Sequence, residues 1–173
     1  MNLTIIGTGY VGLVTGACFA EFGYSVTCID KDNERLEMLK SGKCPFFEPS
    51  MDELLDKHIN KTKLISFSST IKNNLYKTDI IFITVGTPTR RLEEEADLSF
   101  VWQVADEIAD NINNYCLVVT KSTVPVGTTR EVKKIISNKV DQKLFDVVSN
   151  PEFLREGSAI DDFIRPDRVV IGT

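Results

Sequence analysis

The chain has 173 residues, of which 42% are hydrophobic and 26% are charged, and its formal net charge is −5. This length suffices for one domain with a buried core and is too short for two ordinary domains. No apolar run approaches the roughly 20 residues that a membrane span needs, and the acidic balance argues against a nucleic-acid partner. The opening "MNLTIIG" lacks the features of a secretory signal, so we expect a cytoplasmic protein without a membrane partner.

Apolar segments rich in β-branched residues alternate with helical patterns along the chain. The pattern predicts strands at Leu3–Ile6, Val26–Ile29, Leu64–Phe67, Ile80–Val85, Leu117–Thr120, Val147–Val148 and Val169–Ile171. It predicts helices near residues 11–22, 32–41, 51–59, 69–76, 99–113 and 128–139. Several strands are continuously hydrophobic, which is typical of a parallel sheet buried on both faces. The sequence therefore predicts an α/β, doubly wound, mainly parallel sheet with helices on both faces.

Residues typical of helix ends support these boundaries. Gly23 and Gly42 follow predicted helices, a position where glycine commonly takes a positive φ. The segment Ser50–Glu53 fits a capping box, and Asp97 or Ser99 can cap the long helix that follows. The charged segment TRRLEEEAD, which ends at Asp97, is predicted to be a loop that acts as a mobile flap.

The cysteines and the single histidine do not indicate a metal site. Cys18, Cys28, Cys44 and Cys116 are widely spaced and form no C-x-x-C pair, so we expect free thiols in a reducing compartment. His58 lies in the basic segment KHINKTK and is predicted to be a surface residue, not a catalyst. Acid/base chemistry would then depend on carboxylates, lysine or hydroxyl groups.

Gly7, Gly9 and Gly12 form a G-x-G-x-x-G pattern between the first predicted strand and the first predicted helix. In such turns the first glycine permits a tight turn, the second lets the backbone approach a pyrophosphate, and the third lets the helix pack close to the strand. Free N–H groups at the start of the helix favour phosphates. A ligand-free glycine turn is the alternative, and the glycines alone do not exclude it.

An acidic residue at the end of the second strand completes the pattern. Asp30 follows Gly12 at about the spacing at which a carboxylate binds the adenosine ribose and repels a 2′-phosphate, which favours NAD over NADP. Arg35 complicates this choice, because it can accept a 2′-phosphate, lie along the adenine, or remain a solvated helix residue. Asp30 is expected to be largely solvated when the site is empty. The order of these features predicts a Rossmann-like domain that binds NAD.

Polar clusters follow three later strands. They contain Gly86, Thr87 and Thr89, then Lys121, Ser122 and Thr123, then Asn150, Glu152 and Glu156. Each cluster alone could cap a helix or satisfy loop amides, and Arg155 could neutralise Glu152. If their segment is helical, Glu152 and Glu156 lie on one face. Because ligands bind at the carboxyl ends of parallel strands, the three clusters together predict a site for a hydroxyl-rich substrate beside the nicotinamide.

Six segments of the chain closely resemble the UDP-glucose 6-dehydrogenase family: GTGYVG, CPFFEPSMDELL, VGTPT, ADLSFV, KSTVPVG and NPEFLREGSAIDDFIRPDRVVIG. The resemblance covers essentially all 173 residues, and the last segment looks more like the UDP-glucose branch than the GDP-mannose or UDP-N-acetylmannosamine branches. It implies that residues 1–173 are the N-terminal NAD-binding domain of a longer, homo-oligomeric dehydrogenase that also has central and UDP-binding domains.

The resemblance implies oxidation of UDP-glucose, or a related nucleotide sugar, to the uronate by two NAD in turn, through a cysteine thioester that water hydrolyses. Glu152 and Thr123 would be catalytic and would place and activate that water. Substrate contacts are predicted from Glu152, Phe153, Leu154, Arg155 and Glu156. NAD contacts are predicted from Gly7, Gly9, Tyr10, Val11, Gly12, Asp30, Arg35, Gly86, Thr87, Thr89, Ser122, Thr123 and Glu156.

The nucleophilic cysteine of this family lies in later segments, so none of the four cysteines here is expected to replace it. The chain alone is therefore expected to bind NAD without completing turnover. Two alternatives stay open from the sequence. The chain could be the same domain of a GDP-mannose or UDP-N-acetylmannosamine dehydrogenase, or it could be a free-standing module that senses NAD.

Overall fold

The computed structural model describes residues 1–88 and 96–173 of the chain. Within these residues, one sheet contains β1 (Asn2–Ile6), β2 (Ser25–Ile29), β3 (Ile65–Ser68), β4 (Ile80–Ile83), β5 (Cys116–Thr120) and β6 (Phe145–Ser149). The strands lie in the order β3-β2-β1-β4-β5-β6, and every neighbouring pair is parallel. The predicted Rossmann-like, doubly wound fold is confirmed, and its strand order reverses between β1 and β4.

Helices cover both faces of this sheet. They are α1 (Tyr10–Glu21), α2 (Asn33–Lys40), α3 (Met51–Asp56), α4 (Ser99–Ala109), α5 (Thr128–Ser137) and α6 (Ala159–Ile164). A π-helical turn, Lys57–Lys61, continues α3, and a 3₁₀ turn, Gln142–Leu144, precedes β6. One apolar core lies under α1, α3 and α6, and a second lies under α4 and α5.

The side chains of β4 show how the sheet separates the two cores. Ile81 and Ile83 belong to the core under α4 and α5, whereas Phe82 belongs to the core under α1. This alternation follows from the two-residue period of a strand, and it explains why a strand buried on both faces is continuously hydrophobic.

The predicted helix at 69–76 is wrong, because this segment forms successive turns. Ile71 and Leu75 are buried at helical spacing, which explains the misleading pattern. Asn73 has φ 69°, which breaks a right-handed helix, and the Asn74 side chain donates to Ser68 Oγ at 3.0 Å and to the Thr70 carbonyl at 2.8 Å. Side chain to backbone hydrogen bonds therefore replace the helical ones.

The predicted strand at 169–171 is also wrong. Its three apolar residues are exposed, and Gly172, which follows them, pairs with Ser149 through an isolated antiparallel bridge. Asn150 donates from Nδ2 to the Val170 carbonyl at 2.9 Å, so a side chain provides part of the pairing that a strand would supply. The segment reads as a strand because it is apolar, but it has no sheet face to bury.

Helix ends agree with the sequence in part. Gly23 and Gly42 have φ 89° and 80°, as predicted for residues that follow helices. Asp97 Oδ1 accepts a hydrogen bond from the Ser99 N–H at 3.0 Å at the start of α4. The capping box at Ser50 is wrong, because Ser50 itself takes φ 64° and its side chain makes no capping hydrogen bond. Residues 89–95 of the predicted flap lie outside the described residues.

His58 is buried, with 2% of its surface exposed, so its predicted surface position is wrong. Its Nε2 lies 2.7 Å from Glu21 Oε2 and its Nδ1 lies 3.0 Å from Thr62 Oγ1, because the π-helical turn packs against α1. The four cysteines are free thiols, three of them buried. Among the residues described, the helices are too short or too polar to span a bilayer.

Candidate dinucleotide and substrate site

Gly7 and Gly9, in the loop between β1 and α1, and Gly12, in the first turn of α1, have distinct environments. A Cβ atom on Gly7, whose φ is 101°, would lie 2.8 Å from the Thr84 carbonyl oxygen, and one on Gly12 would lie 1.9 Å from the Gly7 carbonyl oxygen. A Cβ atom on Gly9 would meet no atom within 4 Å. Gly7 and Gly12 are therefore required by the protein itself, whereas Gly9 leaves open space at the start of α1. This is the geometry that a pyrophosphate needs to reach the backbone amides.

Asp30 holds this loop in place at the end of β2. Its Oδ2 accepts from the Thr8 N–H at 2.7 Å and from Thr8 Oγ1 at 2.6 Å, and its Oδ1 accepts from the Asp32 N–H at 3.0 Å. Only 14% of its side chain is exposed, so the expectation that it is largely solvated is wrong. Burial alone raises the pKa of Asp30, but the hydrogen bonds from Thr8 and Asp32 and the charge of Arg35 outweigh burial and lower that pKa overall.

Arg35 is paired within the protein. Its Nη1 lies 3.5 Å from Asp30 Oδ2, and its Nε lies 3.7 Å from Asp32 Oδ2. The guanidinium is thus partly neutralised by the carboxylates beside it, which weakens its attraction for a 2′-phosphate. Of the three roles that the sequence left open for Arg35, this pairing disfavours phosphate binding and agrees with a preference for NAD.

A cavity of about 360 Å³ lies at the carboxyl ends of β1, β2 and β4. Five residues predicted to bind the cofactor line it: Gly7, Gly9, Asp30, Arg35 and Gly86. Phe100, Gln103 and Glu107 of α4 form the opposite wall, and sequence reasoning missed them. Their spacing of i, i+3 and i+7 places them on one face of α4, which was the available signal. We call this space the cofactor cavity.

A second cavity, of about 900 Å³, lies beyond β5 and β6, and we call it the substrate cavity. Four of the five residues predicted to contact substrate line it: Glu152, Phe153, Leu154 and Arg155. Glu156 is exposed and lines neither cavity. Lys121 and Asn150 also line the substrate cavity, at the ends of neighbouring strands. The structure therefore brings Lys121 of the second polar cluster together with Asn150 and Glu152 of the third.

Lys121 places a buried ammonium group at this cavity. Only 6% of the residue is exposed, and Nζ donates to Asn150 Oδ1 at 3.2 Å and lies 5.8 Å from the centre of the Phe163 ring. Burial lowers the pKa of Lys121, and the negative charge of Glu152 partly offsets that effect. A cationic group thus faces the same space as the Glu152 carboxylate.

Glu152 and Glu156 do not lie on a helix, because residues 150–156 are irregular and turn at Gly157, where φ is 83°. Glu152 Oε2 accepts a hydrogen bond from the Leu154 N–H at 2.5 Å. The Arg155 guanidinium pairs with Asp162, with Nη2 2.7 Å from Oδ1, so it does not neutralise Glu152. The Glu152 carboxylate therefore accepts from a nearby backbone N–H and lines the substrate cavity.

Several predicted cofactor residues line neither cavity: Val11, Thr87, Ser122 and Thr123. Ser122 Oγ donates to the Val85 carbonyl at 2.7 Å, and Thr87 Oγ1 donates to the Thr123 carbonyl at 2.9 Å. These hydroxyls tie the ends of β4 and β5 together. The Thr123 side chain is exposed, and Thr89 lies outside the described residues. Their roles toward ligands stay predictions.

Tyr10 connects the glycine-rich loop to the substrate segment. Its hydroxyl lies 2.8 Å from both Glu48 Oε2 and the Arg155 carbonyl oxygen, and its ring packs edge-on against Phe46 at 5.0 Å. Burial and the hydrogen bond to Glu48 raise the pKa of Tyr10, so the hydroxyl stays neutral and donates. Glu48 was missed by sequence reasoning; the signal was an acidic residue inside the otherwise apolar stretch CPFFEP.

Comparisons with known proteins show which family this chain belongs to. The family described as the UDP-glucose/GDP-mannose dehydrogenase family, NAD binding domain, matches residues 1–173. UDP-glucose 6-dehydrogenase from Rhizobium meliloti is 52% identical over 99% of the chain, and that from Pseudomonas aeruginosa is 45% identical over all of it. The chain spans 39% of the length of each of these relatives.

Solved structures agree as well. The UDP-glucose dehydrogenase of Pyrobaculum islandicum matches 99% of the chain with a TM-score of 0.92 and 39% identity. The GDP-mannose dehydrogenase of Pseudomonas aeruginosa matches 99% with a TM-score of 0.93 and 35% identity. The chain covers 40% and 41% of those two chains, respectively.

The 3-2-1-4-5-6 sheet, the glycine-rich loop and the acid after β2 define a dinucleotide-binding domain of the dehydrogenase class. The chain belongs to the UDP-glucose/GDP-mannose dehydrogenase family and is its NAD-binding domain. The family resemblance and the NAD cofactor predicted from the sequence are thereby confirmed.

Proposed function

We propose that this chain is the cofactor-binding part of a UDP-glucose 6-dehydrogenase that converts UDP-glucose to UDP-glucuronate. The observation that supports this most directly is the 52% identity to UDP-glucose 6-dehydrogenase over 99% of the chain. Identity to the GDP-mannose dehydrogenase structure is lower, at 35%. The longer protein would be a cytoplasmic homo-oligomer, and it would supply the cysteine nucleophile and the remaining substrate contacts.

The residues around the cofactor cavity fit NAD. The open space at Gly9 admits a pyrophosphate to the α1 amides, where the positive end of the helix dipole favours its charge. Asp30 and its partner Arg35 line this cavity and would lie at the ribose end, where the carboxylate would accept from hydroxyl groups and disfavour a 2′-phosphate. When bound, NAD supplies the hydride acceptor for oxidation of the sugar alcohol.

Glu152 is the proposed general base of the substrate cavity. Its Oε2 takes one backbone hydrogen bond, which fixes the carboxylate without removing its basic lone pairs. The Lys121 ammonium lines the same cavity, so a cationic group lies beside the space that the Glu152 carboxylate faces. Glu152 would activate the water that hydrolyses a cysteine thioester, and Thr123 would help to place it. These roles require reach to the reacting carbon, which the rest of the enzyme would complete.

The deciding experiment is an assay of the full-length protein that carries this chain. NADH formation would be followed with UDP-glucose, GDP-mannose and UDP-N-acetylmannosamine, each with NAD and with NADP. We expect the highest kcat/KM with UDP-glucose and NAD, and two NADH for each sugar oxidised. A higher kcat/KM for another sugar would reassign the substrate, and absence of turnover with all three would refute the proposal.

A further inference from the structure

Glu48 is a buried carboxylate that no catalytic or cofactor role uses. It lies in the loop between α2 and α3, and only 7% of its surface is exposed. Burying an ionised carboxylate costs several kcal/mol unless hydrogen bonds compensate it. The partners of Glu48 therefore indicate what this carboxylate does in the fold.

Both carboxylate oxygens of Glu48 accept hydrogen bonds. Oε1 accepts from the Ile160 N–H at 3.2 Å, and Oε2 accepts from the Gly157 N–H at 3.0 Å and from the Tyr10 hydroxyl at 2.8 Å. These donors come from distant parts of the chain: Tyr10 begins α1 directly after the glycine-rich loop, and Ile160 lies in the first turn of α6. Glu48 thus links the start of α1, beside the glycine-rich loop, to the residues around the start of α6, which follow the substrate segment.

The segment that Glu48 holds is the one that lines the substrate cavity. Residues 152–155 line that cavity, and the backbone turns at Gly157 immediately after them. The Tyr10 hydroxyl reinforces the same point, because it also lies 2.8 Å from the Arg155 carbonyl oxygen and 3.1 Å from the Gly157 nitrogen. Residues 150–156 have no regular secondary structure of their own, so their position depends on such contacts.

We propose that Glu48 is a positioning residue, which fixes the segment of Glu152 to Glu156 relative to the glycine-rich loop. The proposal rests on the proposed function, since it assigns that segment to substrate. Through Tyr10 on one side and Gly157 and Ile160 on the other, Glu48 keeps the Glu152 carboxylate at a constant separation from the NAD site. Hydride transfer and the base chemistry both depend on that separation, because reacting groups have to be held within about 0.5 Å of the productive geometry.

A carboxylate is the group that this geometry demands. A glutamine side chain has the same size but offers one acceptor oxygen and one N–H donor. In either orientation its amide nitrogen would face a backbone N–H, of Ile160 or of Gly157, where a hydrogen bond is impossible. The Glu48→Gln variant therefore removes part of the attachment while it preserves the volume of the side chain.

Amide hydrogen exchange in this chain tests the contacts directly. Because E48Q removes an acceptor from one of these amides, we expect exchange at Gly157 or Ile160 to be at least about tenfold faster in the variant. The NAD dissociation constant of E48Q is expected to change by much less than this factor. The matched control is Glu53→Gln, since Glu53 is exposed on the neighbouring helix α3. Unchanged exchange at both amides in E48Q would overturn the proposal.

Steady-state kinetics of the full-length protein separate positioning from general stability. We expect E48Q to lower kcat and raise KM for UDP-glucose with little change in KM for NAD, and E53Q to change neither. Equal changes in both KM values would mean that Glu48 supports the fold as a whole, which would refute a positioning role. If the wild-type protein does not oxidise UDP-glucose, the proposed function fails, whereas the exchange measurement still decides whether Glu48 holds the segment.

If E48Q does not fold, Tyr10→Phe provides a second test. It removes the hydroxyl that lies near Glu48, Gly157 and the Arg155 carbonyl, and it leaves Ile160 bound to Oε1. We expect faster exchange at Gly157 and unchanged exchange at Ile160. Unchanged exchange at Gly157, or an equal increase at both amides, would contradict the proposed geometry.

Discussion

At the residue scale, Asp30 combines a structural contact with a place in the cofactor cavity. Its two carboxylate oxygens accept from Thr8 and Asp32 in the folded chain, while the same side chain lines the cofactor cavity. A residue of this kind can be found from sequence by its distance from the glycines. Its hold on Thr8 cannot be found in that way, because the contact depends on how β1 and β2 are paired.

We expect Asp30→Asn to weaken NAD binding and to destabilise the fold. Asparagine offers one acceptor oxygen where two oxygens now accept from three donors, and it lacks the charge that Arg35 faces. Loss of a hydrogen bond to a charged group costs about 1.5–3 kcal/mol. The NAD affinity should therefore fall about ten- to hundredfold, and the free energy of unfolding should fall by about 1.5–3 kcal/mol. Isothermal titration with NAD and NADP and urea unfolding measure these effects.

The control for this variant is Asp146→Asn, which changes an exposed aspartate in β6. It should leave both quantities unchanged. The pH dependence gives a further check, because folding lowers the pKa of Asp30. The ionised carboxylate stabilises the fold above the unfolded pKa of about 3.9, and this contribution is lost as pH falls through the lower folded pKa. The difference in unfolding free energy between wild type and D30N should therefore shrink below about pH 4; a constant difference would contradict this.

Residues defined by short spacing were predictable, and residues defined by tertiary contacts were not. Gly7, Gly9 and Gly12 act within one local turn, so their roles follow from their order. Glu48 meets partners more than 100 residues away, and its place in the apolar stretch CPFFEP does not show which partners these are. The surface position predicted for His58 was wrong for the same reason, since His58 is buried in contact with Glu21, which is distant in the sequence.

At the element scale, the junction between β1 and α1 is set by two glycines with different tasks. Gly12 lets the helix lie against the turn at Gly7, and an added Cβ would lie 1.9 Å from the Gly7 carbonyl oxygen and 2.5 Å from Thr84 Oγ1. Gly9 is open, and its φ of −67° is available to any residue. Stability and ligand access are therefore separable at this junction.

We expect Gly12→Ala and Gly9→Ala to behave differently. Overpacking of this kind costs about 1–3 kcal/mol, so Gly12→Ala should lower the melting temperature as well as NAD affinity. Gly9→Ala should retain the wild-type melting temperature and lose NAD affinity, because its methyl group would occupy the space meant for the pyrophosphate. Thermal unfolding with and without NAD measures both. Equal loss of stability in the two variants would show that the roles of the glycines are not separate.

Segments outside the sheet were the least predictable elements. Ile71 and Leu75 have helical spacing, yet Asn73 and Asn74 turn the chain between them. Glu152 and Glu156 also have helical spacing. However, the Leu154 N–H donates to the Glu152 side chain, and the positive φ of Gly157 changes the direction of the chain. In each case polar side chains satisfied the backbone locally, which hydrophobic periodicity does not report.

At the scale of the whole molecule, alternating apolar strands and helices were sufficient to predict the architecture. Continuous hydrophobicity in strands such as β4 requires burial on both faces, and two cores follow from it. The cavities were predictable as a location, at the carboxyl ends of the strands, but not in shape. Their walls include residues from α4 and from the segment before α6, whose packing depends on the complete fold.

The two cores share one sheet, so we expect the chain to unfold in a single cooperative transition. Ile108→Ala, in the fully buried face of α4, should lower the free energy of unfolding by about 2–5 kcal/mol without splitting that transition. The control is Val126→Ala, since Val126 is 105% exposed and packs against little. Circular dichroism and intrinsic fluorescence should give the same midpoint in urea. Two separate midpoints would mean that the cores fold independently.

The strand order also affects how the chain is made. Of the described strands, β1 comes first in the chain and lies in the middle of the sheet, and its neighbour β4 follows both β2 and β3. During translation, one row of peptide groups on β1 therefore stays open after its other side has paired, and such an edge readily joins another chain. We therefore expect neighbouring nascent copies on one messenger RNA to be able to associate through this row of peptide groups until β4 has emerged from the ribosome.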